Sequence, residues 1–208
     1  MKIQGQRKFD APRDLVWKAI KDPEILSKTV PGLQSLTTTG ENRYEGALNM
    51  SIGPVQGRFS GTVQLSDLDP PASYAMRIDG KGAPGFVQGE GTVRLEEDGD
   101  ATILHYDIDA QVGGRLAAVG QRLLDSSAGV ITQQSLEGLA RQIEGLKRAA
   151  ATGERVEVEA PTQAQFAAEV AKGVLKESVP PKSRPWIAVA VAIVVIVAIV
   201  LAVRGCAG

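Results

Sequence analysis

A chain of 208 residues with a net charge of −1 and a pI near 5.9 has room for one cored domain plus appendages, and offers no general attraction for nucleic acid. Its one cysteine, Cys206, excludes an internal disulfide framework and fits a reducing compartment for the main domain. The opening Met1-Lys2-Ile3-Gln4-Gly5-Gln6-Arg7-Lys8 has no apolar run after its charges, so no signal peptide is expected.

In chain order, Ile3 to Phe9 reads as a strand closed by Ala11-Pro12. Asp14 to Ile20 reads as a short helix with Pro12 near its first turn and Trp17 and Ile20 facing inward. Pro23 to Lys28 is expected to form a second short helix, stopped by Pro31-Gly32. Six segments of period-2 alternation follow, punctuated by Thr39-Gly40-Glu41-Asn42, Gly53-Pro54, Asp69-Pro70-Pro71, Ala83-Pro84-Gly85 and Asp98-Gly99-Asp100. Gly113-Gly114 then opens a long predicted helix from Arg115 to about Arg148. Its broad face carries Leu116, Val119, Leu123, Ser127, Val130 or Ile131, Gln134, Leu139, Ile143 and Leu146. The order describes an α+β domain over residues 1–150, an antiparallel sheet curled around one helix.

The alternation separates the two faces of that sheet. One parity carries Leu48, Met50 and Ile52, then Phe59, Gly61, Val63 and Leu65, then Tyr74, Met76 and Ile78. It continues with Gly89, Gly91, Val93 and Leu95, and with Leu104, Tyr106, Ile108 and Ala110. The other parity holds Arg58, Ser60, Gln64, Arg77, Glu90, Arg94, His105, Asp107 and Asp109, and faces water. Gly61, Gly89 and Gly91 stand where large residues would fill a core, and Ala117, Gly120 and Ser127 do the same on the final helix. Two accounts of these small residues remain open: an apolar cavity between sheet and helix, or sharp sheet curvature. For the cavity, the candidate lining is Phe59, Gly61, Val63, Met76, Gly91, Leu104 and Tyr106 from the sheet, with Leu116, Val119, Gly120 and Leu123 from the helix.

The domain carries little reactive chemistry. Its single histidine, His105, falls on the water-facing parity, and no cysteine lies in the domain, which excludes Cys-His nucleophile pairs and zinc sites. Asp107 and Asp109 read as solvated strand charges. The glycine-rich stretch Gly80 to Gly91 lies in a hairpin and opens no helix, so it is no phosphate cradle. A binder is expected, with no catalytic residues, no metal site and no covalent cofactor.

Residues 151–185 read as a linker containing Pro161, Pro180, Pro181 and Pro185. Within it, Phe166, Val170, Val174 and Leu175 recur at helical spacing. That pattern suits a short amphipathic helix resting on a membrane or a partner, and a solvated tether equally. Trp186 to Val203 is eighteen residues without a charge or polar side chain. At about 1.5 Å per residue it reaches roughly 27 Å, enough for a thin bilayer. Lys172, Lys176, Lys182 and Arg184 precede it and only Arg204 follows, so a single-pass C-terminal anchor with the N-terminal domain in the cytoplasm is expected. So short a tail implies insertion after synthesis.

Three stretches carry a family resemblance. Phe9-Asp-Ala-Pro-Arg-Asp-Leu-Val-Trp17, with Asp22-Pro23-Glu24 and Val30-Pro31-Gly32, resembles the opening of the carbon monoxide dehydrogenase G-subunit proteins, within the START/Bet v 1-like helix-grip superfamily. Ile52-Gly53-Pro54-Val55-Gln56-Gly57-Arg58-Phe59-Ser60-Gly61 resembles that family's central strand signature, and Gly113 to Asp125 resembles the start of its final helix. Thr29, often a cysteine in relatives, and Ser135-Leu136, where paired aromatics are frequent, depart from the pattern. The resemblance implies a helix-grip fold with a hydrophobic pocket that holds a respiratory quinone. It also implies recruitment of a molybdenum-containing CO dehydrogenase or related hydroxylase to the cell membrane. A purely structural anchor without ligand, a general lipid-binding protein and an enzyme of the cyclase branch are the alternatives; the lack of inward polar residues disfavours the last.

Overall fold

The computed structural model describes residues 1–152. β1 (Lys2–Phe9) leads into α1 (Arg13–Lys21) and α2 (Pro23–Thr29). Six strands follow: β2 (Leu33–Gly40), β3 (Arg43–Ile52), β4 (Val55–Asp69), β5 (Ser73–Gly82), β6 (Gly85–Asp98) and β7 (Ala101–Gly114). A short 3-10 turn, Ala117–Val119, precedes the long α3 (Gln121–Thr152). All seven strands form one antiparallel sheet in the order β1-β7-β6-β5-β4-β3-β2. This is the α+β grip expected from the sequence, with the turns at the predicted punctuation. Asn42, Gly53 and Gly99 take the left-handed conformation that tight hairpin turns require.

The helices form for local reasons. The Asp22 carboxylate accepts hydrogen bonds from the backbone N–H groups of Glu24 and Ile25, and Pro23 presets the first turn of α2. Helix α1 buries Val16, Trp17, Ala19 and Ile20 on one face. Trp17 meets Tyr74 edge-on at 5.8 Å, while the Lys21 ammonium lies 5.4 Å from the Trp17 ring centroid.

The start of the final helix differs from expectation. Gly113 and Gly114 do not open it; they end β7, paired with Phe86 and Gly85 of β6. Gly114 has φ +74° and the Leu116 N–H donates to the Pro84 carbonyl, which folds the chain back over the β5–β6 turn. Gly120, at φ +90°, breaks the chain again, and α3 begins only at Gln121. Leu116, Val119 and Gly120 therefore belong to the turn before the helix, and of the four predicted helix residues only Leu123 lies on α3. Two left-handed glycines six residues apart cannot share one helix.

The core divides in two. One cluster gathers Phe9, Trp17, Ile20, Tyr44, Leu65, Tyr74, Val93, Leu95 and Leu104 under α1 and the C-terminal half of α3, which contributes Leu139 and Ile143. The other, at the opposite end of the inner face, gathers Ile52, Val55, Phe59, Leu116 and Leu124. Among the described residues no helix is long and apolar enough to cross a membrane. The predicted linker of residues 151–185, its amphipathic segment and the apolar span 186–203 lie outside the described residues, apart from the end of α3.

Candidate functional site: the inner face between two core clusters

Strand register places each predicted site residue. Pairing of Val63 with Ile78, Leu65 with Met76, Met76 with Gly91, Gly91 with Ile108 and Val93 with Tyr106 brings the predicted inward parity onto one face. The residues then part company. Phe59 and Leu116 are buried in the second cluster, with Val119 and Leu123 packed against it. Leu104 is buried in the first, with Val63, Met76 and Tyr106 against its edge.

Between the clusters runs an inward-facing belt that is only half-buried: Leu48, Met50, Val63, Met76, Ile78, Tyr106 and Ile108 from the sheet, and Ala128 and Ile131 from α3. Apolar side chains that point at a helix yet keep accessible surface mark incomplete filling rather than a packed core. A groove of about 440 Å³ between β1 and α3 reaches this face at Ile3 and Tyr106. Its helical wall is Ala128, Gly129, Thr132 and Leu136, and its rim carries Lys2, Arg7 and Asp125. Of the predicted site residues only Tyr106 lines this opening. Its signal is a run of small residues at helical spacing in α3, where a β-carbon added to Gly129 would meet nothing within 4 Å.

The inward glycines answer the question left open by the sequence, and not as space. A β-carbon on Gly91 would lie 2.5 Å from the Asp107 carbonyl oxygen and 2.8 Å from the Ile108 Cα. One on Gly61 would strike the backbone of Asp79 and Gly80. Both glycines therefore serve close strand approach and curvature. Gly89 is buried beside Ala110, with the Asp109 carbonyl 3.3 Å from a β-carbon position. Substituting Gly91 does not fill a pocket, contrary to expectation. Gly120 has open space around it, but its φ of +90° disfavours any side chain.

Buried polar side chains are few. Ser127 is 1% exposed, and its Oγ has no hydrogen-bond partner; the buried Oε1 of Gln134 has none either. Both sit on α3. Tyr74, also buried, has its hydroxyl pushed well above the ordinary value of 10 by burial, with a smaller contribution from Tyr44. Tyr44 is raised by burial and then by Asp22, and its hydroxyl donates to the Lys21 carbonyl at 3.1 Å.

The outer face is a solvated charge lattice. His105 Nε2 lies 3.2 Å from Glu96, Lys2 pairs with Asp107 at 3.2 Å and Arg77 with Glu90 at 3.4 Å. A second concavity, of about 740 Å³, lies largely on this face, between Gln4, Arg94, His105 and Asp107. Among the described residues no group of His, Cys, Asp and Glu side chains could hold a metal ion.

The architecture has solved counterparts. A conserved protein from Geobacillus kaustophilus superposes with a TM-score of 0.67 at 32% identity, over 69% of this chain and 95% of that one. A START superfamily protein from Mycobacterium smegmatis gives 0.56 at 15% identity, over 70% and 98%. The Zhui aromatase/cyclase from Streptomyces sp. R1128 gives 0.55 at 17%, over 72% and 97%. The last two show the fold alone. No curated protein matches the chain. Residues 5–144, nearly all of the described domain, match the family described as the G subunit of carbon monoxide dehydrogenase (CoxG). With the grip fold and this match in agreement, the chain belongs to the CoxG family of carbon monoxide dehydrogenase proteins.

Proposed function

We propose that this protein is a non-catalytic, membrane-anchored adaptor that holds a respiratory quinone on the half-buried belt of its inner face. It would bring a molybdenum-containing CO dehydrogenase, or a related hydroxylase, to the cytoplasmic face of the cell membrane. The observation that carries the reading is the belt itself: apolar residues from four strands and α3, several of them at the edges of the two closed clusters, stay only half-buried. A mostly apolar ligand gains roughly 25 cal/mol for each Å² it removes from water there. The residues present fit such a group, since the belt is apolar apart from the Tyr106 hydroxyl. When bound, the quinone would supply electron-accepting chemistry; the protein's own part is to shield, orient and release it. Family membership supports the partner, and the uncharged stretch 186–203 supports the anchor.

The test is extraction of lipid from the full chain purified from its membrane. The expected result is a quinone in near-stoichiometric amount. Removal of residues 186–208 should release the protein to the soluble fraction with its fold intact. A second reading, a structural anchor with no ligand, is favoured by one observation: Gly61 and Gly91 are tight against neighbouring backbone and leave no space. Absence of extractable lipid from membrane-purified protein would select it.

A further inference from the structure

The net charge of −1 conceals a division along the sheet. An antiparallel meander puts alternate hairpins at opposite ends. The β3–β4 and β5–β6 turns therefore lie at one end, and the β2–β3, β4–β5 and β6–β7 turns at the other. Three stretches meet at the first end. A β-carbon on Gly53 would run into Leu123 of α3, one on Gly57 would run into Pro84, and Gly85 pairs with Gly114. Residues 53–58, 81–86 and 113–123 thus make one surface. It carries Arg58, Lys81, Arg115 and Arg122, all exposed, and no carboxylate. Among the described residues none of these three arginines has an ion-pair partner. Lys81 lies 3.6 Å from Asp79, and the first acid of α3, Asp125, takes a hydrogen bond from Gln121. Amid these cations stands Phe86, 39% exposed, its ring lying over Gly113 where any side chain would collide with it. The other end is acidic. Asp67, Asp69, Glu97, Asp98 and Asp100 flank its turns, and its cations Lys8 and Arg13 are paired with Asp98 and Glu97.

We propose that this basic end is a docking surface for an anionic phospholipid bilayer, with Phe86 entering the interface and the four cations meeting lipid phosphates. An aromatic ring set among cations is the composition that seats at headgroup level, and guanidinium groups match phosphate oxygens in pairs. Each cation near an anionic leaflet adds to the attraction, while the acidic end is repelled, so the two ends together fix the orientation. An acidic protein surface would answer the charges alone. The bilayer is favoured because the apolar stretch 186–203, in the function proposed above, keeps the domain beside one. The proposal rests on that reading for the nearness of a membrane and not for any ligand. The chain leaves α3 beside Asp10, at the acidic end. Residues 153–185 span up to roughly 110 Å when extended, against about 48 Å for the length of α3, so the basic end can turn to the bilayer. Docked in this way, the molecule sets its shallow cluster of Ile52, Val55, Phe59, Leu116 and Leu124 against lipid, and turns its sealed cluster away.

The experiment uses full chains carrying one polarity-sensitive fluorophore, on Ala83→Cys at the basic end or Asp100→Cys at the acidic end, each with Cys206→Ser. They are reconstituted into vesicles of phosphatidylcholine alone, or of phosphatidylcholine with one-third phosphatidylglycerol. The label at position 83 should brighten severalfold only where phosphatidylglycerol is present, and the label at position 100 should report water in both. Salt at about 0.5 M, with a screening length of about 4 Å, should reverse most of the change. Arg58→Gln and Arg115→Gln should each lower the ratio of docked to free domain about fivefold. Arg141→Gln, the same loss of charge far along α3, should leave that ratio unchanged. Phe86→Ser should weaken docking and Phe86→Trp should keep it, a rescue that a merely structural role at the surface would not give. Equal responses from the two labels, indifference to phosphatidylglycerol, or Arg58 and Arg115 variants that dock as wild type does would overturn the proposal. A label at position 83 that stays in water over phosphatidylglycerol would overturn it too, and would give the patch to an acidic protein partner. Docking by a chain without extractable quinone leaves this surface standing while the carrier reading falls; extractable quinone without docking does the reverse.

Discussion

The end of the inner face under α1 and the end under the Leu116 turn differ in how they are closed. Under α1, Phe9, Val16, Trp17, Leu95, Leu104, Leu139 and Ile143 come from helices and several strands and are sealed on every side. At the other end, Ile52, Val55, Phe59, Leu116 and Leu124 are closed by one hairpin, one turn and the first turn of α3, with Leu48, Met50, Val87 and Val112 half-buried around them. The first end is built for stability. The second is a shallow closure beside an unfilled belt, and such low-density regions are where opening is cheapest.

That contrast is broken most directly by truncating one aromatic at each end. Phe9→Ala, in the sealed cluster, should cost about 3–5 kcal/mol by chemical denaturation, since its surroundings cannot collapse into the hole. Phe59→Ala should cost at least about 1 kcal/mol less, because neighbours beside the belt can relax toward it. Equal losses would mean that both ends are equally packed.

A pair of glycine substitutions sharpens the middle of the comparison. Gly91→Leu forces a side chain against the backbone of Asp107 and Ile108, and should destabilise by about 3 kcal/mol or more. Gly129→Leu, on the helical wall of the β1–α3 groove, meets open space and replaces a helical glycine, so it should stabilise by about 0.5–1 kcal/mol. If the groove is the way in to the belt, that same variant should slow quinone uptake from vesicles. Thermal melts and uptake rates of the two variants check both statements.

The smallest effect concerns pH. Burial raises the Tyr74 hydroxyl above its ordinary value of 10, so the folded state keeps that proton longer than the unfolded state does. The stabilisation is complete below about pH 10 and is lost as pH rises through the raised value. Tyr74→Phe should therefore melt like wild type within about a degree at pH 7, and hold its stability better between roughly pH 10 and 12. Parallel alkaline melts of the two proteins would reveal a loss unrelated to Tyr74 if they coincide.

Much of the fold is legible in the chain itself. Strand alternation assigns the inward parity of five strands, and turn residues mark every hairpin, because both depend on local backbone preference. The beginning of α3 is not legible. Leu116-Ala117-Ala118-Val119 has a helical composition, and only its contact with the Pro84 carbonyl and the left-handed Gly114 and Gly120 turn it into a link. The inward glycines stand out as special in the sequence, but their division between space and curvature depends on strands distant along the chain. Ser127 and Gln134 read as part of the broad helical face by spacing, yet their burial without partners is a tertiary property that no spacing reveals.

The central claim is that the half-buried belt, not the span at the C-terminus, is where the quinone sits. Photolabelling of the full chain in vesicles with an azidoquinone, followed by peptide mapping, tests it most directly. The account predicts labels on belt residues such as Leu48, Met76, Ile108 and Ile131, suppressed by excess unlabelled quinone. Labels confined to residues 186–203 or to the charged outer face around His105 would contradict it.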